Sequence, residues 1–353
     1  MNKQRNSTLE LLRVLSMIGV LGLHYMNKSI GGGLNATLPY NVVLTHFLES
    51  ICITSVNVFI LISGYFMIYQ KTTGLRKAID LYLVLLCYYL PFYAVACAMG
   101  ETVFSWKELT YLIVPFARGD KWFLETYILL LLFAPFLNTL ITNLNKNTHL
   151  LLTCIWLMIF SVWSSFFPSP PLTDNGYGIT NFVTLYLISS YIRKYVQLLK
   201  DKRSVLIAFL VFTVSVLLIT ISSFSVFKGR AWDYCYLFNI TASTAIFYAF
   251  LNLPETNNAK INTVAALTSG VYISHSYLHF RNLIYHELMH TERFLDSPYL
   301  FAHFLICILL QFIVFAAFEY LRQLLWKPTV GKWLASSKAL EAEQTWERQL
   351  FNN

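Results

Sequence analysis

Apolar runs long enough to cross a bilayer recur along almost the whole chain, and no other feature restricts its fold so tightly. A segment of about 20 apolar residues in hydrocarbon must satisfy its backbone hydrogen bonds internally, which leaves the α-helix. About ten such runs can be marked, at roughly 9–28, 47–69, 79–99, 122–142, 149–167, 179–198, 205–227, 232–253, 261–280 and 298–325. With 56% hydrophobic and only 12% charged residues, the 353-residue chain is expected to be an all-α, polytopic membrane protein. The first run is not read as a cleavable signal, because Arg13 interrupts it and it leads directly into further spans. No repeat or long linker divides the chain, so a membrane domain is expected over 1–326 and a polar cytoplasmic tail over 327–353.

Basic residues set the expected orientation. If the amino terminus is cytoplasmic and connections alternate, that side holds Lys3, Arg5, Arg13, Lys71, Arg76, Lys77, Lys146, Arg193, Lys194, Lys200, Lys202, Arg203, Lys260 and the Lys and Arg of 322–353. These are most of the 26 Lys and Arg, so both termini are expected inside. The same bias accounts for most of the net charge of +8 without a nucleic-acid partner. The six cysteines are scattered through apolar spans without ligand spacing and read as small buried residues, with no metal site among them.

The stretch LLRVLSMIGVLGLHY, Leu11 to Tyr25, places two ionisable groups inside the first run. Eleven residues separate Arg13 from His24, so at about 100° per residue both lie on one helix face, roughly 16 Å apart along the axis. One would sit near a membrane surface and the other within the hydrocarbon layer. A charge at mid-bilayer costs at least about 2.5–3.5 kcal/mol, which makes such groups functional candidates. An imidazole kept out of water is neutral and can accept a proton, while Arg13 can hold an anion at the cytoplasmic mouth. The simpler readings are a hydrogen-bonded core histidine and a snorkelling arginine. Glu49, Asn57, Asp80, Glu125, His275, His279 and Glu319 complete the set of polar candidates in or beside the spans.

Arg13 and His24 match the R-x10-H pattern of the acyltransferase 3 family, integral membrane acyltransferases that modify bacterial surface carbohydrates. Three further blocks resemble that family in order: VFILISGYF at 58–66, KWFLETYILLLLFAPFLN at 121–138 and SGVYISHSYLHFRNLIYHEL at 269–288. The resemblance implies a multi-pass protein of the bacterial cytoplasmic membrane, with acetyl-CoA or another acyl-CoA as donor. It also implies a polysaccharide or lipid-linked sugar hydroxyl as acceptor, membrane lipids as surroundings and room for a homo-oligomer. It makes His24 the catalytic histidine, as general base or as the carrier of an acyl-histidine intermediate, and Arg13 a group that holds the donor. Where many members carry an aspartate that pairs with the histidine, this chain has Asn57, which can orient an imidazole by a hydrogen bond but cannot stabilise it by charge. Glu49 or Glu125 is the candidate acidic substitute. The following loop, QKTTGLRKAID, keeps Arg76 and Lys77 for a CoA phosphate. Trp122, Glu125 and Tyr127 are expected at an outer sugar site or in an interfacial belt, and His275 and Arg281 at the acceptor or in structural pairing.

Two other classes compete. His286, Glu287 and His290 spell HELMH, the HExxH pattern of zinc proteases. Ten spans with buried polar groups also describe carriers of lipid-linked sugars, although no pair of Gly/Pro-interrupted spans recurs in matching halves.

Overall fold

The computed structural model describes residues 5–114, 121–167, 173–275 and 277–351; Lys3 lies outside them. Every regular element among these residues is helical. In chain order they are α1 (Ser7–Met26), α2 (Pro39–Cys52), α3 (Thr54–Met67), α4 (Leu75–Met99), α5 (Trp106–Ile113), α6 (Trp122–Asn143), α7 (Lys146–Leu157), α8 (Trp163–Phe166), α9 (Ile179–Tyr195) and α10 (Lys202–Ser223). They continue as α11 (Leu237–Asn252), α12 (Ala259–Ala265), α13 (Thr268–His275), α14 (Leu300–Trp326), α15 (Lys332–Ser336) and α16 (Lys338–Leu350). Helix α1 is central, packing against α2, α3, α11, α12, α13 and α14. The outward faces of α10 and α14 expose a belt of Leu, Ile, Val and Phe, as a lipid-facing surface requires.

Seven helices among the described residues are long and apolar enough to cross a membrane: α1, the α2–α3 run Pro39–Met67, α4, α6, the run Lys146–Phe166, α10 and the run Leu300–Ser336. The sequence pointed to about ten, and the other three segments depart from simple spans for physical reasons. Helices α9 and α11 have 17 and 16 residues and run through the interior. Helix α9 buries Asn181, Thr184, Ser189 and Ser190 against its neighbours, so its polar content is spent inside the bundle. Thr184, Ser189 and Ser190 donate to carbonyls one turn back on their own helix. Gly64 of the SGYF block lets α3 approach α9 closely, since a Cβ there would collide with Ser189 Oγ.

The segment expected at 261–280 is broken. Helix α12 ends at Ala265, α13 begins at Thr268, and Gln323 of α14 donates its Nε2 to the freed carbonyl of Ala266 at 3.0 Å. Non-helical backbone is tolerated at membrane depth where it is buried in protein or lines a cavity, and Ala266, Thr268 and Ser269 do line one. The short helix α13 is held by Glu319 of α14, which is 1% exposed. Its carboxylate accepts from Tyr88 Oη at 2.7 Å, from Arg322 Nε and Nη2 at 2.7 Å each, and from Gln323 Nε2 at 2.8 Å. The guanidinium of Arg322 stacks on Trp326, whose indole N–H donates to Asp80 at 3.0 Å. The network thus fastens α4, α13 and α14 together, with Gly270 of α13 lying directly on the Glu319 carboxylate. The tail folds as α16 and docks back on the loop before α4, where Glu347 accepts from the Thr73 amide at 3.0 Å.

A Cβ at position 270 would overlap Glu319 Cδ and Oε2, and four hydrogen bonds prevent the carboxylate from yielding. Gly270→Ala is therefore expected to destabilise the protein by about 1–3 kcal/mol, the usual cost of overpacking. A melting temperature equal to wild type in detergent would contradict this.

Candidate functional site

A cavity of about 680 Å³ opens between α1, α2, α3, α6 and the α12–α13 break. At the end that holds the N-terminus of α1 its wall carries Arg5, Arg13, Ser63, Lys77, Asp80 and Tyr127. Towards the far end it carries Asn27, Glu49, Trp122, Tyr177, Trp232, Tyr234 and Arg281. His24, one turn before Asn27 on α1, lies on the same wall. The placement of Arg13 and His24 on one face of α1, expected from their spacing, is what lets one cavity touch both.

The imidazole of His24 packs edge-on against His275, with ring centroids 4.7 Å apart and planes at 78°. His275 is 2% exposed, and its Nδ1 lies 2.9 Å from the Val271 carbonyl one turn back on α13. Nδ1 therefore carries the proton and donates, which leaves Nε2 as a buried acceptor without a hydrogen-bond partner among the described residues. His275 thus stands behind the His24 ring, off the cavity wall, and Arg281 faces this histidine pair.

The cationic side chains at the N-terminal end of α1 are drawn into hydrogen bonds. Lys77 donates to Tyr127 Oη at 2.9 Å, and the same phenol lies 3.3 Å from Ser63 Oγ. Arg13 donates Nη1 to Glu10 at 2.7 Å, one turn nearer the terminus, so its charge is held in place and partly balanced. Tyr127, expected beside Trp122 and Glu125 at an outer sugar site, instead belongs to this cationic end, because five residues along α6 carry it past the aromatic residues. Arg76 and Glu125 lie off the cavity wall.

At the far end Trp122 is joined by two tyrosines from loops. Ring centroids are 4.6 Å apart for Trp122–Tyr177, 5.1 Å for Trp122–Tyr234 and 5.0 Å for Tyr177–Tyr234. Fully buried Asn57 holds this cluster rather than the histidine. It donates Nδ2 to the Tyr234 carbonyl at 2.8 Å and accepts from Asn181 Nδ2 at 3.2 Å. Asn181 also donates to the Gly176 carbonyl at 3.2 Å, and the Tyr234 amide donates to the Asn175 carbonyl at 2.9 Å. The expected Asn57–His24 bond gives way because both ends of the Asn57 amide are committed elsewhere, to the Tyr234 loop and to Asn181 of α9. Tyr177, Tyr234 and Ser63 carried no signal in the sequence, since the tyrosines sit in connections and come together only through Asn57 and Asn181.

The HELMH stretch does not present a zinc-protease arrangement. His286 has Nε2 3.0 Å from the Ile30 carbonyl, so that nitrogen carries a proton and cannot bind a metal, while Nδ1 lies 2.9 Å from a Glu292 carboxylate oxygen without a hydrogen bond to it. His290 lies beyond the helical turn with φ of 51°, which removes the shared face that histidines four apart have on an α-helix. Among the described residues no three His, Cys, Asp or Glu side chains group as a metal site.

The chain matches the acyltransferase 3 family model, described as an acyltransferase domain, over residues 6–318. It belongs to that family and is a membrane acyltransferase. Comparison with curated proteins and with solved structures finds no match to either.

Asn57→Asp separates two roles for this position. Were residue 57 the partner of His24, a carboxylate would raise acyl transfer. The observed geometry predicts the reverse: a carboxylate facing the Tyr234 carbonyl loses a buried hydrogen bond, costs about 1–3 kcal/mol and lowers both the melting temperature and turnover. Faster turnover in the variant would contradict this assignment.

Proposed function

We propose that the protein moves an acyl group, acetyl in the simplest case, from acyl-CoA in the cytoplasm to a hydroxyl of a cell-surface or exopolysaccharide sugar, acting as an O-acetyltransferase of the bacterial cytoplasmic membrane. The observation that carries the reading is one cavity whose wall holds Arg5, Arg13 and Lys77 near the start of α1, Trp122, Tyr177 and Tyr234 towards the far end, and His24. The basic-residue bias makes the N-terminal end cytoplasmic. Arg5, Arg13 and Lys77 then suit the phosphates of CoA, and the phosphate-binding strength of a guanidinium favours Arg13 as the principal contact.

A sugar hydroxyl attacks a thioester poorly until its proton is removed. In the proposed route His24 takes that proton as the oxygen bonds to the acyl carbon, and the collapsing intermediate expels CoA as a thiolate, which recovers the proton from the imidazolium. His275 packs against the ring and restricts its orientation. Because the two substrates reach His24 from opposite ends, transfer needs no movement of the donor across the membrane.

Proton NMR of surface polysaccharide tests the reading. Ester-linked acyl signals are expected in cells carrying the wild-type protein and absent without it. Removing a general base costs roughly 10²–10⁴-fold, so His24→Ala should erase the signals while leaving the protein folded. Arg13→Ala should mainly weaken the donor, raising the KM for acyl-CoA about tenfold, in line with one charge-assisted hydrogen bond of roughly 1.5–3 kcal/mol. Normal ester content in the His24 variant would contradict the mechanism.

A further inference from the structure

The wall of the cavity includes Arg5, just before α1, and Asn27, just after it. The 20 residues of α1 rise about 30 Å, the thickness of the hydrocarbon core of a bilayer. A cavity that follows the whole helix would be a leak through the membrane unless some level along it excluded water. One level is ringed by aromatic side chains. Phe123 of α6 has its centroid 6.4 Å from Phe59 of α3 and 5.0 Å from Tyr272 of α13, and all three line the cavity. Tyr272 reaches His275 at 5.9 Å, and His275 packs on His24 of α1 at 4.7 Å. Helix α1 packs directly on α3, so the circuit of contacts closes around the cavity at the depth of His24. Phe123 also touches both of the sets described above: it stacks on Tyr127 at 6.0 Å and lies edge-on to Trp122 at 5.8 Å.

We propose that Phe59, Phe123 and Tyr272 form an apolar collar that seals the cavity against the passage of water and ions between the two sides of the membrane. An apolar constriction stops both by dewetting, without having to be filled by side chains, so the cavity can be continuous in shape and still closed to solvent. The charged groups of the wall lie to either side of the collar, with Arg5, Arg13 and Lys77 at the N-terminal end of α1 and Glu49 and Arg281 towards the far end. Val20, one turn before His24, and Val56, one turn before Phe59, line the cavity next to the rings and add apolar surface. The Tyr272 hydroxyl, the one polar atom of the three rings, has a partner in the wall, the backbone of Leu124 on α6. Under the acyl-transfer reading the same seal keeps water from His24, which would activate it against a thioester as it activates a sugar hydroxyl. The seal itself follows from the cavity and the span alone.

Proton leak into proteoliposomes of the full-length protein tests this, with a pH step outside and the dye pyranine inside. The wild type is expected to leak no faster than protein-free vesicles, and Phe123→Leu, which keeps an apolar side chain at the collar, to stay as tight. Phe123→Ala and Phe59→Ala are expected to leak at least about tenfold faster, because a hydrated gap replaces the ring. A wild-type leak rate in both alanine variants, with melting curves showing them folded, would overturn the collar. Should neither fold, Ser63→Cys carries the test with the collar intact, since it changes one atom on the wall at the N-terminal end of α1. A membrane-impermeant methanethiosulfonate is expected to modify it from the side of the amino terminus and not from the opposite side. Equal modification from both sides would overturn the collar. The leak involves no acyl transfer, so a protein that transfers no acyl group but leaks only in the alanine variants would keep the collar and remove the acyl-transfer reading.

Discussion

Polar groups removed from water must find partners inside the protein, and in a membrane bundle lipid supplies none. That requirement runs through this structure. It explains why every regular element among the described residues is a helix, and why the serines and threonines of α9 turn back to their own carbonyls. It also explains why Glu319 is surrounded by four donors. Where the backbone leaves the helix, between α12 and α13, a glutamine from α14 takes the freed carbonyl and the break faces a cavity.

Against that background the exceptions acquire meaning. Nε2 of His275 and Oε2 of Glu49 are two of the several buried atoms without a hydrogen-bond partner among the described residues, and these two lie beside the cavity or the histidine on its wall. The protein spends structure on keeping this region polar. Asn57 and Asn181 brace the aromatic loops, the Glu319 network braces α13, and α13 in turn braces His24. The result is a polar cavity braced by short interior segments, while the long apolar helices provide the surrounding wall.

The long helices were legible because their apolar runs exceed membrane thickness, and the shared face of Arg13 and His24 was legible because helical periodicity is rigid. The interior segments were harder. Seventeen residues of α9 and sixteen of α11 read as spans by hydropathy, and nothing local showed that 261–280 would divide at Ala266. Site residues divided in the same way. Trp122, Tyr127, Lys77 and Arg281 could be picked out, but which end of the cavity each would face depended on packing between distant helices. For Asn57 the family resemblance suggested a bond to His24, and two partners far along the chain, the Tyr234 carbonyl and Asn181, took the two ends of its amide instead. Tyr177 and Tyr234 lie in connections, where periodicity carries no information.

The central claim is that donor and acceptor reach one histidine from opposite sides of the membrane. Proteoliposomes of established protein orientation, with radiolabelled acetyl-CoA confined to one compartment and a glycoside acceptor to the other, test it directly. The account predicts labelled acceptor only when acetyl-CoA is on the side of the amino terminus and the glycoside is opposite. Label appearing only when both substrates share a compartment, or equally from either side, would contradict it.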